Sequence, residues 1–167
     1  MDQEIFYFIN NFVGRFAWLD AIAIFLTGLF LYVFIGLVAG IAFKNREYKF
    51  NAIVGFVSAL ILRGVVVEVL KRLVERPRPF ETMAVHKLID EDLMHSFPSG
   101  HTVIFFSIAF AFYGTKLFWP LVILSAVASV ARIYAGAHYP SDVLASVVIA
   151  ALGVPLVWAL FKKLNFR

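Results

Sequence analysis

A chain of 167 residues is the size of one domain, and 62% of it is apolar, against about 45–50% in soluble domains. That excludes an ordinary soluble fold and predicts one membrane-embedded domain spanning residues 1–167. The absence of Cys rules out disulfides and thiolate metal sites, and the net charge of +4 is modest, informative about orientation rather than about a nucleic-acid partner.

Asp2 and Glu4 stand where a secretory leader would be basic, so no leader is expected. Residues 5–16 (IFYFINNFVGRF) mix Phe and Ile with Asn and Arg. They read as an interfacial amphipathic helix, the alternative being a plain extension of the first span. Five apolar runs of about membrane length follow: Trp18 to Phe43, Ala52 to about Leu70, about Ser99 to Tyr113, Trp119 to about Tyr134, and Ser141 to Phe161. A helix needs ~20 residues to cross the ~30 Å hydrocarbon core. The third and fourth runs are short by that measure, so their polar ends are expected somewhat below the surface, shielded by neighbouring helices. The expected fold is thus all-α, a bundle of about five transmembrane helices plus the interfacial one.

Five crossings place three polar stretches on one side: Lys71-x6-Arg78-Pro79, Pro98-Ser99-Gly100-His101, and Arg132-x5-His138-x3-Asp142. The opposite side carries Lys44, Arg46, Lys49, Lys116, Lys162, Lys163 and Arg167. By the positive-inside rule that cationic side is cytoplasmic and the three stretches face outward. Trp18, Trp119 and Trp158 fall at span ends, as interfacial anchors do.

Lys71, Arg78 and Arg132 supply fixed cations that suit an anion, and Arg matches phosphate oxygens in a bidentate way. Two histidines beside that anion, His101 and His138, are able to divide nucleophilic attack from leaving-group protonation. Each stretch is ambiguous by itself. Ser99-Gly100 opens a helix, where unpaired N–H groups bind anions, yet an ordinary cap with an incidental His has the same appearance. Pro140 in the first turn of the last span puts His138 at or just before the cap, and Asp142 one turn in can reach back to it. Equally, Asp142 merely caps that helix. Basic residues crowd many membrane-helix ends; Arg78 is preferred to Arg76 because seven residues before Arg78 stands Lys71, whereas seven before Arg76 stands Val69. Arg72, Arg76 and Lys87 read as headgroup contacts, and His86 and His95 as solvated residues of the 80–97 loop. Within the second run, Arg63 is expected in an ion pair or lining a lipid slot, and Glu68 is expected to steady Lys71 or Arg72.

Taken together, the three stretches resemble the signature motifs of the type 2 phosphatidic acid phosphatase superfamily, in order and at the right helix ends, from Lys71 to Asp142. One departure is Ala131, where the third motif usually has Ser before Arg132. The resemblance implies a metal-independent, cofactor-free lipid phosphatase. In it His138 would form a phosphohistidine and Asp142 would orient it. His101 would protonate the leaving oxygen and then activate water, while Lys71, Arg78, Ser99, Gly100 and Arg132 would hold phosphoryl oxygens. The Glu4-Ile5-Phe6 opening, Arg76-Pro77-Arg78-Pro79-Phe80 and the Ala137–Leu144 stretch are similar to small bacterial undecaprenyl-pyrophosphate phosphatases. That similarity implies a bacterial plasma-membrane enzyme, with a phosphatidylglycerophosphate or phosphatidate phosphatase as runner-up. A non-catalytic lipid-phosphate binder or anion transporter is the reading from another class.

Overall fold

The computed structural model describes residues 1–90 and 95–164, and every regular element among them is helical. α1 (Asp2–Asn10) is followed by α2 (Ala17–Thr27) and α3 (Phe30–Lys44). α4 (Lys49–Ile61) runs through a π-helical stretch, Leu62–Val67, into α5 (Glu68–Val74). A short α6 (Pro79–Thr82) precedes α7 (Gly100–Ala111), α8 (Phe118–Tyr134) and α9 (Pro140–Lys163).

α7 is the axis of the bundle, with Val103, Phe105, Ile108 and Ala109 fully buried and α4, α8 and α9 packed around it. Glycines let the helices approach closely. A Cβ on Gly55 would come within 3.1 Å of Ile108 Cα on α7, and one on Gly153 of α9 would come within 2.6 Å of Leu62 Cδ1. The outside of the bundle exposes Trp18, Tyr32, Phe43, Leu60, Leu152 and Leu156, an apolar surface that calls for lipid rather than water.

All five expected apolar runs are helical, with differences in length and continuity. Arg46–Thr82 and Pro140–Lys163 are long and apolar enough to cross a membrane, whereas Gly100–Ala111 and Phe118–Tyr134 are shorter apolar helices. The run expected as one span from Trp18 to Phe43 is broken instead, with α2 and α3 meeting at a bend of 58°. The reason is local. Thr27 Oγ1 donates back to the carbonyls of Ala23 (2.8 Å) and Ile24 (3.0 Å), which competes with the helical ladder, and Gly28 follows with non-helical torsions.

The N-terminal segment is a separate helix, ended by a turn at Gly14 (φ +79°). Its inner side buries Phe6 and Asn10 one turn apart, while Phe8 is exposed. Asn10 is a staple: its Nδ2 donates to His86 O and to Tyr134 O, both at 2.8 Å, and its Oδ1 accepts from His86 N at 3.0 Å. It thereby fixes the 83–90 loop across the α8–α9 turn. That turn needs Gly136, which has φ +83° and where a Cβ would meet His86 O at 3.0 Å.

Removing the Asn10 amide leaves buried backbone groups without their partner, so Asn10→Ala should destabilise the protein by about 1–3 kcal/mol. The exposed neighbouring Asn11→Ala should not. Thermal unfolding of both variants in detergent measures this, and equal stability of the two would contradict the stapling role.

Candidate active site

The three motifs converge because the C-terminal ends of α5 and α8 meet the N-terminal ends of α7 and α9 at one end of the bundle. Lys71 is buried in the last turn of α5. The αL conformation of Glu75 (φ 47°) then ends that helix. The chain turns through Pro77 to Arg78, which is 3% exposed. Arg78 Nη1 donates to the carbonyl of Ala137 at 3.0 Å, next to His138. Ser99 caps α7 as a fully buried residue. Its N–H reaches Asp142 O at 3.4 Å, its carbonyl accepts from Ser146 Oγ at 3.0 Å, and its Oγ accepts from Thr102 at 3.0 Å. The start of α7 is therefore tied to the start of α9. His101 stands in the first turn of α7, half-buried.

Arg132 is 1% exposed in the last turn of α8. Its Nη1 donates to the carbonyl of Thr27 at 3.1 Å, at the break between α2 and α3. The bend in the first apolar run thus supplies an acceptor that orients a site cation. Ala131, where the motif departs from its usual Ser, packs in an apolar cluster with Val13, Ala23 and Tyr134.

His138 precedes the Tyr139 cap of α9 and is 2% exposed. Its Nδ1 lies 2.8 Å from Ser96 O and 3.6 Å from Asp142 Oδ2. A carbonyl only accepts, so Nδ1 carries the proton and Nε2 keeps its lone pair. The shortest contact that fixes the ring is therefore a backbone carbonyl of the 80–97 loop. Asp142 stands behind it with two further duties: its Oδ2 accepts from Tyr139 N at 2.9 Å, capping α9, and its Oδ1 accepts from Arg76 Nη1 at 2.6 Å. Capping and proximity to His138 coexist in one carboxylate.

Arg76 corrects the headgroup reading. Besides Asp142, it donates to Ser141 Oγ (2.6 Å) and Asp2 Oδ2 (2.7 Å), and its guanidinium lies 3.9 Å from the centroid of the Tyr139 ring. Its carbonyl accepts from Ser96 N at 2.8 Å, while Ser96 Oγ donates to Pro77 O at 3.1 Å. Arg76 and Pro77 thus hold the residue that holds His138. Asp2 completes the bracket by accepting from Ser141 N at 3.0 Å and Ser141 Oγ at 2.6 Å. Burial alone would raise the Asp2 pKa, but these hydrogen bonds and Arg76 outweigh it and hold it below the usual carboxylate value. Sequence reasoning missed Arg76, Asp2, Asn10 and Ser96. The one available signal was the doubled Arg-Pro.

Arg72 and Lys87 stay at the surface; Lys87 pairs with the exposed Asp90 at 3.1 Å and lies 4.6 Å from the Phe80 ring centroid. His86 is exposed and His95 half-buried. Glu68 forms an ion pair with Arg63, while Lys71 and Arg72 stay within electrostatic reach of the same carboxylate. Among the described residues no group of three His, Cys, Asp or Glu side chains is arranged to hold a metal. The apolar cavity of about 730 Å³ between Phe110 and Trp158 opens at the opposite end of the bundle and takes no part in this cluster.

Burial pushes the His138 imidazole down to a pKa of about 4; Asp142 opposes this, and the Arg132 and Arg78 charges reinforce it. The ring is accordingly neutral and nucleophilic at neutral pH. A neutral imidazole flanked by buried guanidiniums, at the end of an apolar helical bundle, defines a membrane-embedded enzyme that works on phosphate groups.

Comparison with known proteins narrows the class. The chain belongs to the PAP2 superfamily, whose family model matches residues 52–166, and it is a membrane lipid phosphatase. It is 35% identical to the undecaprenyl-diphosphatase BcrC of Bacillus subtilis, covering 91% of this chain and 80% of that protein. It is 33% identical to the bacitracin transport permease protein BcrC of Bacillus licheniformis, covering 99% and 83%. The crystal structure of Aquifex aeolicus LpxE superposes with a TM-score of 0.76 at 29% identity, covering 95% of this chain and 94% of that one.

The depressed pKa of His138 has a testable sign. An unfolded His ionises near ~6.5, whereas His138 resists protonation until about 4. It contributes stability above pH ~6.5 that is lost as the pH falls toward 4. Nitrogen-15 NMR of His-labelled protein should find one imidazole neutral at pH 5. In Arg76→Gln, where Asp142 loses its guanidinium partner, that imidazole should titrate higher. A His138 titrating at 6.5 in the parent protein would refute this account of the site.

Proposed function

We propose that the protein hydrolyses undecaprenyl pyrophosphate to undecaprenyl phosphate and inorganic phosphate through a phosphohistidine intermediate. The observation that carries the mechanism is the buried His138, its Nδ1 proton committed to Ser96 O at 2.8 Å and its Nε2 left as the nucleophilic atom. Nε2 attacks the terminal phosphorus, and the bond from that phosphorus to the bridging oxygen breaks. The oxygen leaves with the electron pair and takes a proton from His101. His101 then removes a proton from water, which attacks the phosphohistidine and releases phosphate. Lys71, Arg78, Arg132, Ser99 and the backbone at Gly100 bind the phosphoryl oxygens. The fixed cations stabilise the charge that a metal stabilises in other phosphoryl-transfer sites. Asp142 supports the imidazolium side of the cycle. Similarity to an undecaprenyl-diphosphatase over most of both chains supports the substrate.

We place the enzyme in the bacterial plasma membrane with this site facing outward, on the strength of the Lys/Arg asymmetry between the two ends. An outward site meets a carrier lipid that emerges as a pyrophosphate on the outer leaflet.

Purified protein should release phosphate from undecaprenyl pyrophosphate in excess chelator and be inhibited by vanadate, which adopts the five-coordinate shape of the attacked phosphorus. His138→Ala should form no phosphoenzyme. His101→Ala should lose roughly 10²–10⁴-fold in rate and regain part of the first step with a leaving group that needs no proton. Equal rescue of both variants would show the two roles to be wrongly assigned, and strict Mg²⁺ dependence would sink the mechanism.

Orientation is tested by single Cys residues in this Cys-free chain. Both Lys87 and Arg46 are exposed. A Cys at 87 should react with a membrane-impermeant thiol reagent in intact spheroplasts, and one at 46 should react only after the membrane is opened. The reverse pattern would overturn the outward placement.

A further inference from the structure

Arg63 and Glu68 lie within the second apolar run, where charge is costly and usually functional. In a regular α-helix two residues five apart point about 140° away from each other around the axis. They form an ion pair here because Leu62–Val67 is wound as a π turn, whose i→i+5 pattern brings such residues together. The pair is not sealed in: the Arg63 side chain is 37% exposed and that of Glu68 29%.

What Arg63 covers gives it a role. Its side chain lies across Gly100, where an added Cβ would come within 2.7 Å of Arg63 Cδ and closer still to Nε. Gly100 therefore makes room for a guanidinium that reaches the N-terminus of α7, one residue from His101. Under the proposed mechanism His101 faces the leaving oxygen, so Arg63 stands on the leaving-group side of the reaction. It lies eight residues before Lys71, toward the middle of the second apolar run, where the apolar part of a lipid belongs.

We propose that Arg63 forms a second phosphate subsite, for the phosphate that stays on the lipid when a lipid diphosphate is cleaved. This rests on the diphosphatase reading above and names the residue that selects for it. A phosphate monoester leaves as an alcohol and offers nothing anionic on that side. A diphosphate leaves as a lipid monophosphate, whose charge a guanidinium holds by a bidentate contact. Glu68 holds Arg63 in the meantime, so the guanidinium exchanges one anionic partner for another rather than standing in the membrane alone. Exposure of the pair leaves the subsite open to substrate.

The test compares kcat/KM for undecaprenyl pyrophosphate and for a lipid monophosphate such as phosphatidate, using the full-length protein in detergent. Charged hydrogen bonds are worth about 1.5–3 kcal/mol, so losing one should lower the diphosphate-to-monophosphate ratio by about 10–100-fold in Arg63→Met. The double variant Arg63→Met/Glu68→Leu, which leaves no uncompensated carboxylate, should show the same lowered ratio. Arg63→Lys, which keeps the charge and loses the fork, should fall between. An unchanged ratio in a parent enzyme that cleaves the diphosphate would overturn the subsite and leave the functional reading intact. A parent enzyme that cleaves monophosphates and ignores the diphosphate would overturn both.

Discussion

A fully buried carboxylate is stable only when its oxygens are met by charge or by hydrogen bonds. Asp142, 0% exposed, is met by the Arg76 guanidinium and the Tyr139 amide, with the His138 ring 3.6 Å away. Its partners come from separate parts of the chain. Arg76 belongs to the segment after α5 and in turn engages Asp2 of α1. Tyr139 and Ser141 frame the start of α9, and the Asp142 carbonyl receives the Ser99 amide from the start of α7. Satisfying one carboxylate therefore positions three helix starts and the polar turn between them. Removing Arg76 leaves an uncompensated buried charge, a much larger perturbation than losing a surface ion pair.

The same burial sets the chemistry. Arg78 and Arg132 are each held by a backbone carbonyl, of Ala137 and of Thr27, so their direction is fixed before any substrate arrives. Such fixed donors stabilise developing charge with little reorganisation. Their field also disfavours protonation of His138, which adds to the effect of burial. Under the proposed mechanism an arriving phosphate would reverse that balance, because its negative charge beside the guanidiniums makes an imidazolium at His138 less costly. The site thus keeps His138 neutral while empty and, under the proposed mechanism, becomes tolerant of its charged form only once an anion is present.

Much of this was legible in the sequence because it depends on local pattern. Apolar runs, Pro140 at a helix start, and cations and histidines at run ends are read from neighbours a few residues apart. Those positions emerge as α7, α8 and α9, each starting or ending within two residues of the expected boundary. What stayed hidden depends on partners far along the chain or on backbone atoms. Arg76 meets Asp142 across 66 residues and Asp2 across 74. Asn10 meets Tyr134 across 124. The Ser96 carbonyl that fixes the His138 tautomer is a group every residue has, so no residue type announces it.

The other hidden features are two departures from regular helix, and both serve the site. The α2–α3 break lies where Thr27 turns its hydroxyl onto its own helix, and the Thr27 carbonyl faces Arg132. The π stretch lies where Arg63 and Glu68 must face each other and where Arg63 must reach Gly100. Regular helices satisfy every backbone group internally, which makes them good walls in lipid and leaves them few groups to offer a ligand. An intramembrane phosphatase needs rigid walls and, at one level, carbonyls and cations turned inward. Breaking the first apolar run and widening the second into a π turn provides both at the depth where α7 begins, while α7, α8 and α9 remain α-helical around them.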